Sequence, residues 1–140
     1  MKLPPPPMPV GNYTAAVEAG KLLYISGQLP IDSGALAYAG KLGKDLTIEQ
    51  GQKASELCAL NLLSQLSCYL RDRKIKQVIK VEGYINSSDS FTEHAKVLDG
   101  ASDLLSKLLR SKAGHIRTVV GCSSLPLNAA VEISLIAELE

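Results

Sequence analysis

The sequence is short of most things that announce a function. It has no tryptophan and one phenylalanine, and its five tyrosines bring aromatics to only 4% of 140 residues. Platforms on which nucleic-acid bases could stack are therefore scarce. Charge of one sign is lacking too, since 15 Lys and Arg against 14 Asp and Glu leave a formal +1. Binding to phosphate backbones normally rests on many cationic contacts, so this balance argues against a general nucleic-acid partner. The three cysteines, Cys58, Cys68 and Cys122, form no C-x-x-C pair and cannot all pair internally. They read as free thiols of a reducing compartment. Of the two histidines, His94 and His115, neither stands in a metal-ligand pattern, and no metal is expected. No apolar run approaches the roughly 18 residues of a membrane span. The start, Met1-Lys2-Leu3 followed by Pro4 to Pro7, has no apolar core of a secretory signal. The expectation is a cytoplasmic protein without membrane contact. Neither G-x-S-x-G nor a P-loop occurs, and the glycines at 20, 27, 34, 40 and 43 make no nucleotide fingerprint.

What is present is the material of an ordinary globular domain, with 46% hydrophobic and 21% charged residues. The length predicts one domain over residues 1–140, enough to bury about two-thirds of the unfolded chain's surface. Its first ten residues form a proline-rich extended arm. Lys21–Pro30 reads as a strand bounded by glycines, and Ala35–Ala39 as a weak return strand. Thr47-Ile48-Glu49-Gln50 has the pattern of a capping box. It opens a helix to about Arg71, with Ala54, Leu57, Cys58, Leu62, Leu66, Tyr69 and Leu70 on one side and Gln52, Lys53, Glu56 and Gln65 on the polar side. Val78–Ile85 alternates as a strand, with Ile79, Val81 and Ile85 on one face. Ser90-Phe91-Thr92-Glu93 repeats the capping pattern before a second helix to about Leu109. Arg117–Cys122 and Val131–Leu139 complete the strands. The order ββαβαββ predicts an α+β fold with two helices on one face of a mixed sheet. The other face mixes Lys80, Glu82, Tyr84, Glu132 and Ser134 with apolar residues. Such a face is either solvated or paired with another subunit.

One segment carries potential chemistry. Arg117 opens an apolar strand, where it must meet a carboxylate, a phosphate or solvent. Its planar fork suits a small carboxylate ligand. Glu132 stands between Val131 and Ile133, pointing off the apolar face. The plainer readings are a rim arginine in a surface ion pair and an exposed glutamate. His115, in the loop before Arg117, is placed to approach a site there.

These residues also resemble a known family. The Tyr-Ile-Ser-Gly-Gln-Leu-Pro run at 24–30, the Arg-Thr-Val-Val-Gly strand from 117, and Leu125-Pro126 with Glu132 six residues past the proline are similar to the YjgF family, also called the Rid family. The resemblance spans nearly the whole chain. It implies a chorismate-mutase-like fold and a homotrimer whose sheets close into a barrel, with ligand clefts between subunits. It implies hydrolysis of reactive 2-imino or enamine acids to 2-keto acids and ammonium, without metal or cofactor. Arg117 would bind the substrate carboxylate, and Glu132 would place the attacking water. Gly27 and Ser26 would border the pocket, with Tyr13 on one wall. Val119 stands where the family has a cysteine that contributes mainly through its backbone, and Asp89 where it has an asparagine. Such an easy substrate needs chiefly orientation and a positioned water.

The chain also departs from the deaminase pattern. It reads Gly11-Asn12-Tyr13-Thr14-Ala15 near the N-terminus, and Asp89 would repel an anionic substrate unless protonated or turned away. These features align it with a sub-branch of undefined role. A small-carboxylate-binding or regulatory trimer without turnover is the alternative reading. An endoribonuclease is a third, disfavoured by the neutral charge and the lack of a paired histidine.

Overall fold

The computed structural model describes residues 2–140, so of the predicted arm only Met1 lies outside the described residues. Residues 2–9 adopt neither helix nor strand. The chain then forms β1 (Ala16–Ala19), β2 (Leu22–Gln28), a two-residue hairpin of β3 (Ile31–Asp32) and β4 (Ala35–Leu36), α1 (Ile48–Leu70), β5 (Ile75–Asn86), α2 (His94–Leu109), β6 (Ile116–Cys122) and β7 (Val131–Leu139). The main sheet has the order β1-β2-β7-β5-β6. Only β5 and β6 run parallel, joined by the α2 crossover that parallel strands require. The expected α+β architecture, a mixed sheet with two helices, is what the chain adopts.

The core lies between sheet and helices. Leu23, Ile25, Val81, Ile85, Val131, Ile133 and Leu135 project from the sheet onto Ala54, Cys58, Leu62, Val97, Leu98 and Leu105. The two helices approach closely where Gly100 meets α1. A Cβ there would lie 2.2 Å from the Gln52 carbonyl oxygen. The opposite face of the sheet carries no layer, and Val17, Tyr24, Ile116 and Val120 are exposed on it.

Four local expectations are corrected. The second strand of the main sheet is Ala16–Ala19, before the glycine turn, whereas Ala35–Leu36 pairs only with Ile31–Asp32. In β5 the buried residue is Val78 rather than Ile79, because the register with β7 shifts between Val78 and Lys80. The extra residue of that bulge resets the alternation. Thr47 does cap α1, accepting from Gln50 N–H while the Gln50 side chain accepts from Thr47 N–H. The second box does not form: Phe91 N–H closes a turn onto the Ser88 carbonyl, and α2 starts only after Glu93, without a side-chain cap. Finally, Gln65 faces inward at 7% exposure, while Tyr69 turns out to bond Glu18.

Candidate functional site

Two regions hold the residues singled out in the sequence, and they lie on opposite faces of the sheet. The first is a cavity of about 80 Å³ at the β2–β7 end, lined among others by Pro7, Pro9, Tyr13, Ser26, Gly27 and Glu132. Its floor is a bulge in β2. Between Ile25 and Gln28 two residues, Ser26 and Gly27, oppose the single Ser134 of β7. The bulge brings Gly27 against Glu132. A Cβ at position 27 would run into the Glu132 side chain, so any larger residue here must displace the carboxylate from its present position.

Two polar groups of this cavity, the Ser26 hydroxyl and the Glu132 carboxyl, lack hydrogen-bond partners among the described residues. The Ser26 hydroxyl is shielded from solvent and has no hydrogen-bond partner among the described residues. Burial pushes the Glu132 carboxyl above the usual carboxylate range, with no cation or donor acting to lower it. Tyr13, half-exposed at the mouth, accepts a 3.3 Å hydrogen bond from Val10 N–H. A carboxylate that is costly to ionise and a buried hydroxyl without a partner suit a site that exchanges protons with an incoming polar molecule.

The second region surrounds Arg117 on β6. Arg117 stands in register with Val81, whose side chain faces the helices, and so points toward α2. Its Nη1 lies 2.8 Å from Asp99 Oδ1 in an ion pair and donates to Ser102 Oγ at 3.0 Å, and its Nη2 donates to the Ala95 carbonyl at 3.3 Å. His115 completes the cluster. Its Nδ1 meets the Ala113 carbonyl and its Nε2 lies 3.0 Å from Ser102 Oγ. A carbonyl can only accept, so in the neutral ring Nδ1 carries the proton and Nε2 accepts from Ser102. The Ser102 oxygen is thereby free to accept from Arg117. Two guanidinium N–H groups donate, to Ser102 and Ala95, and Nη1 also faces Asp99, which leaves Nε–H and one Nη2–H without a partner.

Within one chain the two regions do not meet. Glu132 is in register with Tyr84 on the open face, and Arg117 is two strands away, about 10 Å across the sheet, on the other face. Tyr13, Ser26, Gly27 and Glu132 are thus brought together. Val119 shares the face of Arg117, half-buried against the core. Asp89 is exposed in the loop beyond β5, at the opposite end of the β5–β6 pair from Arg117. The carboxylate that does meet Arg117 is Asp99, which the sequence reading missed along with Ser102. Their spacing of three residues on α2, set before a strand-opening arginine, is the signal that could have found them. Among the described residues no three His, Cys, Asp or Glu side chains gather as metal ligands, and no helix is long and apolar enough to cross a membrane.

Comparison with known proteins identifies the family and the fold. Protein TCP17 of Trypanosoma cruzi is 41% identical over 99% of this chain and 88% of its own. A crystal structure of the Agrobacterium tumefaciens protein Atu1372, of unknown function, has a TM-score of 0.94 and 41% identity over 100% of this chain and 87% of that one. A 2-iminobutanoate/2-iminopropanoate deaminase of Dermatophagoides farinae is 26% identical over 96% of this chain and 91% of its own. The family described as "YjgF/chorismate mutase-like, putative endoribonuclease" matches residues 1–139. With bulged β2, crossover helix and Glu132 strand all inside that match, the chain belongs to the YjgF/chorismate mutase-like family.

Proposed function

We propose that this protein hydrolyses small 2-imino acids to 2-keto acids and ammonia. The observation that carries the reading is the Glu132 cavity: a carboxyl of raised pKa against a glycine, beside an unpartnered serine hydroxyl. Water adds across the C=N bond, its oxygen joining the carbon while Glu132 takes one of its protons. That proton passes to nitrogen and gives the carbinolamine; Glu132 then carries the hydroxyl proton to nitrogen as well, the C–N bond breaks, and ammonia leaves behind the keto group. The substrate carboxylate is held by the two free N–H groups of Arg117.

Because one chain keeps Arg117 and Glu132 on opposite faces, the site is completed by Arg117 of a neighbouring copy. A homotrimer closed through the open sheet faces would cover Tyr24, Ile116 and Val120 and set such copies edge to edge. The cytoplasm, where imines arise from pyridoxal enzymes, is the compartment this chemistry fits. A second reading has its own support: Asp99 already occupies part of the Arg117 fork. A carboxylate-binding regulator with slow or no turnover would be built that way. The nuclease in the family's description has less behind it, since the sequence is neutral and His115 is committed to Ser102 and Ala113.

The test generates 2-imino acids with an amino-acid oxidase and competes the protein against a semicarbazide trap. Adduct formation falls with wild type and is restored in Glu132→Gln and Arg117→Ala. Identical adduct yields with wild type and with no protein refute the deaminase.

A further inference from the structure

The arm that precedes β1 has no role in the chemistry above, yet it forms part of the cavity wall. Pro7 and Pro9 line the space over Ser26, Gly27 and Glu132. Proline fixes φ and resists bending, so this wall is stiff and costs little entropy to hold in place. It is also pinned. Leu3 packs against the core. Gln65, on the buried side of α1, donates from Nε2 to the Pro7 carbonyl at 2.7 Å and to Gln28 Oε1 at 3.3 Å. Gln28 Nε2 in turn donates to the Ser26 carbonyl at 3.2 Å. Both glutamines are nearly inaccessible, at 7% and 6% exposure. A buried amide is costly unless bonded, so this pair has a definite geometry to satisfy: it ties the arm to the bulge on which the candidate site is built.

We propose that the proline arm is the size-selecting wall of the Glu132 cavity and that Gln65 is the positioning residue that sets it. The cavity is small, about 80 Å³, and Pro7 and Pro9 border it beside Glu132. In this proposal a three-carbon keto or imino acid is accommodated there, and an isobutyl or benzyl side chain presses against the two prolines. This inference rests on the assignment of that cavity to the reacting carbon, and the experiment keeps the two apart.

Wild type, Gln65→Leu and Pro9→Gly are compared by calorimetry with pyruvate, 2-oxobutanoate, 4-methyl-2-oxopentanoate and phenylpyruvate. Turnover of the corresponding imino acids is measured in parallel. Gln65→Leu replaces the amide by an apolar side chain of similar size, and Pro9→Gly leaves the core untouched. Wild type prefers the two smaller acids, and both variants lose roughly tenfold or more of that preference through gains for the bulky ones, the discrimination that a pocket wall of one or two carbons carries. Binding or turnover indifferent to size in wild type, or an unchanged ratio in both variants, overturns the inference. Size-graded binding without hydrolysis defeats the deaminase alone, and hydrolysis without size grading defeats the arm's role alone. No binding and no turnover by wild type overturns both.

Discussion

The Glu132 and Arg117 regions differ in how completely their polar groups are satisfied. At Glu132 a buried hydroxyl has no partner and the carboxyl is raised by burial with nothing to offset it. At Arg117 most polar atoms have partners: Nη1 faces Asp99 and donates to Ser102, Nη2 donates to the Ala95 carbonyl, and His115 backs Ser102. Buried hydroxyls normally find partners, and Ser26 shares the lack of one with Ser55 and Ser88. What sets the first region apart is that its hydroxyl lies beside a desolvated carboxyl in a cavity. The second is a prepared fixture, rigid before any ligand arrives. The contrast assigns reaction to one side and orientation to the other.

The largest effect should come from the unsatisfied side. Glu132→Gln keeps the shape and removes the base, and turnover should fall by about 10²- to 10⁴-fold. Stability should move the opposite way. A carboxyl whose folded pKa lies above its unfolded value binds protons more tightly when folded, so its ionised form opposes folding at higher pH. Thermal denaturation should therefore show Glu132→Gln more stable than wild type at neutral pH. The difference should disappear as pH falls below the ordinary carboxylate range. In wild type the acid limb of the pH–rate profile should lie above that range as well. Gly27→Ala tests the same site sterically. Its methyl must displace the Glu132 carboxylate, and turnover should drop steeply while the circular dichroism spectrum is retained.

On the fixture side the effect is smaller and of another kind. Arg117→Ala should weaken binding of 2-keto acids by roughly 10- to 100-fold, the worth of charge-assisted hydrogen bonds, and raise KM by more than it lowers kcat. A mutant that loses kcat with KM unchanged would place Arg117 in the chemistry and abolish the division of roles.

How much of this was legible in the sequence follows the range of the interactions involved. β7 alternates over its whole length because it is central, with one face on the core, and period two is all such a strand needs. The Thr47 box works because its two partners are three residues apart and nothing else competes for them. Ser90 has the same spacing, but the preceding turn has already committed its backbone. β1 escaped notice because Ala-Val-Glu-Ala has little strand propensity and is a strand only through its pairing with β2. For the candidate site, Arg117 and Glu132 stood out from their own strands, and the family resemblance added Tyr13, Ser26 and Gly27. Gln65 read as a solvent-facing polar residue, since its partner at Pro7 is 58 residues away and no local pattern reports it. Asp99 and Ser102 left only their three-residue spacing on α2 as a trace, since Arg117 lies 18 residues from Asp99 by numbering.

Asp99 supplies the finest test of the comparison. Its side chain is 48% exposed and that of Arg117 26%, so the pair is well screened and adds little to stability. Its carboxylate also sits where an anionic ligand must approach the remaining N–H groups. Removing that charge while keeping the shape, as in Asp99→Asn, relieves a repulsion of about 1 kcal/mol at 4 Å in water, or about fivefold in binding. Calorimetry should show 2-keto acids binding several-fold more tightly to this variant, with the gain shrinking as salt is added. Weaker binding would mean that Asp99 acts chiefly by aiming the guanidinium. The Arg117 region would then depend on its internal bonds for function as much as the Glu132 region depends on lacking them.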